Sequence, residues 1–253
     1  MRPVAAFDLD GTLFREQLIV VLIDGFIRRG VFPKKLSSEF AELSLNRRDR
    51  RIRYENYDRQ IVEMFLTNIT GVNSRSVAIA ARKIAEQHRD WVYTFTRALL
   101  KRVKNTHECI TITGANDHIV KHLASYWGFS RYYSTELVIK NGKYTGGEKS
   151  LPVLDKESAL LKHIARGTST LTGSIGIGDT ASDIVMLLNV ELAIAFNPSA
   201  ELADEAERRH WPMVVERKDN IYVHHRGKVR RFTIAEADAA VDHVISLRKG
   251  KGK

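Results

Sequence analysis

The sequence has a single cysteine, Cys109, in 253 residues. One thiol cannot close an internal disulfide, and it cannot supply the thiolates of a structural zinc site. Both absences agree with a reducing compartment. Long apolar runs are missing too. Nothing approaches the roughly 18–20 apolar residues of a membrane span, and the longest candidate, residues 18–27, is interrupted by Asp24. The opening Met-Arg-Pro-Val runs straight into an acidic motif and lacks a signal-peptide layout. A cytoplasmic protein is therefore expected. No internal repeat is present, and low complexity is confined to the Lys/Gly-rich last five residues, which are expected to fray.

What is present is an ordinary globular composition, 43% hydrophobic and 28% charged, too apolar for wholesale disorder. The length suits one large domain or one domain carrying an insertion. Forty Lys and Arg face 30 Asp and Glu, a formal net charge of +10. Such an excess suggests an anionic partner: nucleic acid, a membrane surface, or a phosphorylated or carboxylated small molecule. Composition alone does not choose among them.

Periodicity divides the chain. Val4, Ala5, Ala6 and Phe7 read as a short buried strand ending in Asp8-Leu9-Asp10-Gly11-Thr12. Residues 14–105 then read as helical: Leu18, Ile19, Leu22, Ile23 and Phe26 recur at helical spacing, and further faces follow at 61–66, 77–85 and 91–103. From 108 onward strand, loop and helix alternate. Strands are expected at 108–113, 171–178 and 192–196, with helices at 116–126, 155–165 and 180–188. Asn141-Gly142 suits a tight hairpin turn, and a second hairpin is expected about Arg226-Gly227. This pattern argues for a parallel α/β sheet, Rossmann-like, with helices on both faces. Residues 1–13 and 106–253 would form it, and 14–105 would be a helical insertion after the first strand.

In such a sheet the active site lies at the carboxyl ends of the strands. Four places put polar residues there: Asp8 and Asp10 with Thr12, then Thr113-Gly114, then Lys156, then Asp179 and Asp183 in Gly-Asp-Thr-Ala-Ser-Asp. Carboxylates converging in one crevice repel one another unless a cation is present. Oxygen-only ligands point to a hard ion, Mg2+ rather than Zn2+. A lysine and a hydroxyl beside that ion would receive a phosphoryl group, and an aspartate could take it as an aspartyl-phosphate. Lys149 and Lys162 compete with Lys156 for the lysine's part.

Asp8-Leu9-Asp10-Gly11-Thr12, Thr113, Lys156 and Gly178-Asp179-x-x-x-Asp183 occur in an order that resembles the haloacid-dehalogenase superfamily phosphatases. Asn141-Gly142-Lys143-Tyr144-Thr145-Gly146 and Phe196-Asn197-Pro198-Ser199 resemble the phosphoserine-phosphatase-like branch, subfamily IB. The resemblance implies a Mg2+-dependent phosphomonoester hydrolase with a helical cap at 14–105. It makes Asp8 the nucleophile and a metal ligand. Asp10 becomes the general acid and then the base, its carbonyl also on the metal. Thr12, Thr113, Gly114 and Lys156 would hold the phosphoryl group. Asp179 would complete the metal ligands, and Asp183 would act through water or by orienting Lys156. The partner implied is a small anionic phosphate ester (phosphoserine-like, amino-alcohol or other). A phosphotransferase using the same intermediate, or a non-catalytic polyanion binder on this fold, are the alternatives. Nucleic acid is not expected, because no interleaved aromatic-basic platform is visible in the sequence.

Other features point elsewhere or nowhere. His118 and His122 are four apart but lack a third matching ligand and read as a solvated helix face. Gly173, Gly176 and Gly178 lie within a strand rather than a strand-to-helix turn, against a dinucleotide site. Residues 28–53 hold nine Lys/Arg against three Asp/Glu, mostly a solvated face, from which one or two arginines could reach the substrate. Gln17, Ala115 and Ser182 stand where phosphoserine phosphatases usually carry Glu, Gly and Asn, so the substrate stays open.

Overall fold

A computed structural model describes residues 1–248. The expected fraying of 249–253 lies outside the described residues. The chain starts with β1 (Arg2–Phe7) and then runs through five helices: α1 (Leu18–Arg28), α2 (Leu36–Arg48), α3 (Tyr54–Ile69), α4 (Ser74–His88) and α5 (Thr94–Val103). The second part comprises β2 (Glu108–Asn116), α6 (Asp117–Trp127), β3 (Arg131–Lys140), β4 (Lys143–Ser150), α7 (Lys156–Ile164), β5 (Ser169–Gly178), α8 (Ile184–Leu187) and β6 (Leu192–Phe196). It ends with α9 (Ala200–Arg209), β7 (Met213–Arg217), β8 (Asn220–His225), β9 (Lys228–Thr233) and α10 (Ala237–Ser246).

The nine strands form one sheet in the order β4-β3-β2-β1-β5-β6-β7-β8-β9. The six from β3 to β7 are parallel, and antiparallel strands finish both ends. The expected α/β class with helices on both faces is what the chain adopts. In β1, Val4 and Ala6 join the cluster beneath α7, α8 and α9, while Ala5 and Phe7 join the larger core on the other face. Alternate residues point to opposite faces, so a strand covered on both sides must be apolar throughout. Both hairpin turns form as expected: Asn141-Gly142 and Arg226-Gly227 each place two successive residues at positive φ, from +49° to +74°.

Three details differ from expectation. The helix expected from 91 begins at Thr94, because residues 91–93 pair with 13–15: Arg15 N–H donates to Trp91 C=O (3.1 Å) and Tyr93 N–H to Leu13 C=O (3.0 Å). The helix expected over 180–188 is a 3-10 turn, Ala181–Asp183, followed by the short α8. Strand β7 was not anticipated.

The inserted helices are tied to the sheet at several places. α1 packs on α3 and α4, α4 on α6, and α5 along α10. The α3–α4 loop also pairs with the β3–β4 hairpin, Gly71 N–H to Tyr144 C=O at 2.8 Å and Ser74 N–H to Gly142 C=O at 2.8 Å. Within the insertion Phe26 is fully buried and lies 5.1 Å from Phe32 and 6.3 Å from Phe65, ring to ring. No helix among the described residues is long and apolar enough to cross a membrane. Truncating Phe26→Ala should lower the unfolding free energy by about 3–5 kcal/mol, read from urea denaturation; a loss under about 1 kcal/mol would contradict this packing.

Candidate active site

Strands β2, β1 and β5 are parallel neighbours, so their carboxyl ends open side by side. Asp8 follows β1, Thr113 lies near the end of β2, and Asp179 follows β5. The loop after β1 turns at once: the N–H groups of Thr12, Leu13 and Phe14 all reach Leu9 C=O, at 2.8–3.1 Å. Gly11 sits at φ +79°, and any Cβ there would run into the Asp179 carboxylate. A side chain on Gly178 would likewise meet Asp183. Both glycines therefore serve the approach of the carboxylates.

Lys156 is 1% exposed and opens α7. Its Nζ lies 2.6 Å from Asp8 Oδ1 and 2.6 Å from Asp183 Oδ1. The competitors sit elsewhere: Lys149 pairs with Glu136 on the surface, and Lys162 is exposed. The other oxygen of Asp183 accepts the N–H groups of Asp179 and Thr180, both at 3.0 Å, and the Thr180 hydroxyl. Asp183 thus has both oxygens engaged, which fits orienting Lys156 and shaping the Asp179 loop. It also explains the 3-10 turn, since this side chain caps it in place of a longer helix.

Thr12 is buried, and its hydroxyl donates to Asp179 Oδ1 at 3.2 Å. Thr113 is buried and accepts the Ala115 N–H at 3.1 Å. The Gly114 carbonyl is held by the Thr135 hydroxyl at 2.7 Å. Asp10 Oδ1 accepts the N–H of Leu18, the first residue of α1, at 2.8 Å. All eight residues singled out in the sequence therefore lie on the strand ends, loops and helix starts around one sheet end.

Electrostatics mark the centre as short of positive charge. Burial pushes the Asp8 carboxyl up to about 6, against the pull of Lys156 and with a further push from Asp183. Burial, then the charge of Asp8, raises Asp10 to about 7, although the Leu18 N–H opposes this. Asp179 is raised well above the usual carboxylate range by burial, Asp8 and Asp183. Burial works against the Lys156 charge, but Asp183 and Asp8 outweigh it and hold the ammonium protonated. One ammonium among this many carboxyls leaves room for a cation. Oxygens of Asp8, Asp179 and Asp183 lie within 4.8 Å of one another, an all-oxygen donor set that fits a hard ion such as Mg2+.

The helical insertion brings further groups to this side. Gln17 donates to Asp58 Oδ1 on α3 at 3.0 Å, and Asp58 contributes to the raised carboxyl of Asp10. Of the basic stretch at 28–53, Arg28 pairs with Asp24, and Arg48 and Arg51 with Asp49, on the surface. Arg47 is half-buried and acts on Tyr57, next to Asp58. No local signal marks Asp58, because its neighbours in the site come from other segments.

Two side features resolve. His118 and His122 are half-buried rather than on a solvated face. The β3–β4 hairpin folds over α6, so that His118 meets the Tyr144 ring edge-on at 5.6 Å and bonds its hydroxyl. Cys109 is buried in β2 as expected, its thiol pushed up to about 12 by burial.

Comparison with known proteins agrees with this geometry. The family model for haloacid dehalogenase-like hydrolases matches residues 5–188, and the chain belongs to that family. A histidinol-phosphatase of Neisseria meningitidis is 28% identical over 113 residues, 42% of this chain. The alignment spans about half, 51%, of that relative's length. A probable phosphatase of Mycobacterium tuberculosis is 23% identical over 222 residues, 84% of this chain and 75% of the relative. Among solved structures, a Bordetella pertussis protein of unknown function superposes with a TM-score of 0.68 at 21% identity, covering 84% of this chain and 98% of that one. A phosphoserine phosphatase solved as a phospho-aspartyl intermediate analogue gives 0.58 at 20% identity, covering 86% and 95%. The fold is thus the one seen in phosphoserine phosphatases.

The raised carboxyls bear on stability. A carboxyl whose folded pKa exceeds its unfolded value favours the fold when protonated; that contribution is full below about pH 3.8 and is lost as pH rises through about 6 to 7. In metal-free protein, wild type should therefore lose stability relative to Asp10→Asn between pH 4 and pH 7.5, read as the difference in urea midpoints. Identical pH profiles for the two proteins would contradict this electrostatic picture.

Proposed function

We propose that the protein is a phosphomonoester hydrolase working through an aspartyl-phosphate on Asp8, with Mg2+ as its cofactor. The observation that carries this is the Lys156 ammonium, bonded to both Asp8 and Asp183 in a buried centre, with Asp10 two residues away and titrating near neutrality. In the first step Asp8 attacks phosphorus while Asp10 passes its proton to the departing oxygen, so the alcohol leaves neutral. In the second, Asp10 takes a proton from water, which attacks the aspartyl-phosphate and releases phosphate with Asp8 restored. Lys156 neutralises charge on Asp8 and on the phosphoryl oxygens, and Thr113 with the Gly114 N–H would hold those oxygens. Asp8, Asp179 and the Asp10 carbonyl would hold the ion, with Asp183 beside them; when bound it supplies positive charge against the phosphoryl oxygens.

Residues 14–105 would act as a cap over a catalytic unit made of 1–13 and 106–253. The substrate would be a small anionic phosphate ester, and the phosphatases among the relatives favour hydrolysis over transfer to a second alcohol. Arg47, half-buried beside Tyr57 and Asp58, is the arginine of the basic stretch assigned to the substrate's anionic part. A reducing, cytoplasmic setting suits the lone buried thiol.

Asp8→Asn should abolish phosphate release from an aryl phosphate while circular dichroism stays unchanged. Chelation should stop the wild type, and added Mg2+ should restore it. Undiminished turnover by the variant would sink the assignment.

A further inference from the structure

Glu216 on β7 lies outside the motif residues, yet its side chain is 1% exposed and carries a dense set of partners. It accepts the N–H groups of Thr94 (3.1 Å) and Phe95 (2.8 Å), the first two residues of α5. It also binds Arg15 Nη2 at 2.7 Å, and its own N–H donates to Asn197 Oδ1 at 2.9 Å. An anion at a helix N-terminus is favourable, and the guanidinium supplies the compensating charge that a buried carboxylate needs.

Arg15 lies in the loop between β1 and α1, and Thr94 opens α5 directly after the α4–α5 loop. The two loops pair with each other through the Phe14–Val92 bridge. Arg15 holds both: Nε donates to Val92 C=O at 2.8 Å, and the guanidinium lies 4.7 Å over the Tyr93 ring. Three residues beyond Arg15, the Leu18 N–H holds the Asp10 carboxylate. Arg15 is therefore fixed to β7 on one side, and on the other it sets where α1 begins.

We propose that Glu216 and Arg15 are positioning residues for the general acid. By anchoring these two loops to β7, they place the N-terminus of α1 and with it the Asp10 carboxyl. This rests on the functional reading above. Neither residue touches the reacting atoms; each acts through Leu18 and Asp10. Proton delivery requires placement to a fraction of an ångström, and a misplacement of about 1 Å can cost on the order of a hundredfold. The dependence should show where the acid is needed. An ester with a very good leaving group departs without a proton, whereas a poor one requires it.

The test is a series of aryl phosphates, from 2,4-dinitrophenyl to phenyl phosphate, run with wild type, Glu216→Gln and Arg15→Gln in the presence of Mg2+. Read as kcat/KM, which reports the first step and not the hydrolysis of the aspartyl-phosphate that every ester shares, the dinitrophenyl ester should stay within about threefold of wild type, while phenyl phosphate should fall by on the order of tenfold to a hundredfold. Arg15→Lys, which keeps the charge, should fall between wild type and Arg15→Gln. Equal losses of kcat/KM on every ester, or no loss on any, would overturn the inference alone. A wild type inactive on the whole series would instead overturn the functional reading and this inference with it. If Glu216→Gln fails to fold, the two Arg15 variants decide, since that side chain is about a third exposed and its loss leaves the α5 N–H groups on Glu216.

Discussion

The structure depends on one buried ammonium. Lys156 sits between Asp8 and Asp183 at 2.6 Å from each, with almost no solvent on any of the three. Such a triad is costly to bury and stays folded only if every partner is met. The second oxygen of Asp183 is met by the loop that carries Asp179, so Lys156, Asp8 and that loop form one connected set. Burial first, and then repulsion from Asp8 and Asp183, raises the carboxyls of Asp8, Asp10 and Asp179, and a divalent cation would relieve that repulsion.

Around that centre the parallel sheet has a simple task. It brings the ends of β1, β2 and β5 together, and glycines at 11 and 178 let the carboxylates approach. The inserted helices complicate the picture. The loop by which they leave β1 pairs with the α4–α5 loop, the β3–β4 hairpin clasps them, and Glu216 pins them to β7. Asp10, on the loop after β1, is held by the first N–H of the insertion. Asp10 is thus held between the sheet and the first of these helices.

Much of the site was legible because each motif is local. Asp8 and Asp10 are bound to β1, whose four apolar residues could only be a strand covered on both faces. The family resemblance named Lys156, with Lys149 and Lys162 as competitors, and the fold shows which ammonium is buried between carboxylates. Glu216 was illegible for a different reason: it is 201 positions from Arg15, and nothing in β7 marks a carboxylate that serves another segment's backbone. The net charge of +10 is also redistributed. Arg28, Arg48 and Arg51 pair on the surface with Asp24 and Asp49, while Arg226, Lys228, Arg230 and Arg231 lie exposed on the β8–β9 ribbon. That ribbon's outer strand lies five strands from β1, roughly 24 Å away. Part of the charge therefore lies well away from the carboxylate cluster.

The central claim is that Asp8 itself carries the phosphoryl group. The direct measurement is peptide mass spectrometry after acid quench of the protein mixed with Mg2+ and an aryl phosphate. The account predicts one added phosphoryl group on the peptide bearing Asp8, absent from Asp8→Asn and labile to hydroxylamine. Phosphate released in burst-resolved time courses with no modified Asp8 peptide, or with the label on another residue, would contradict it.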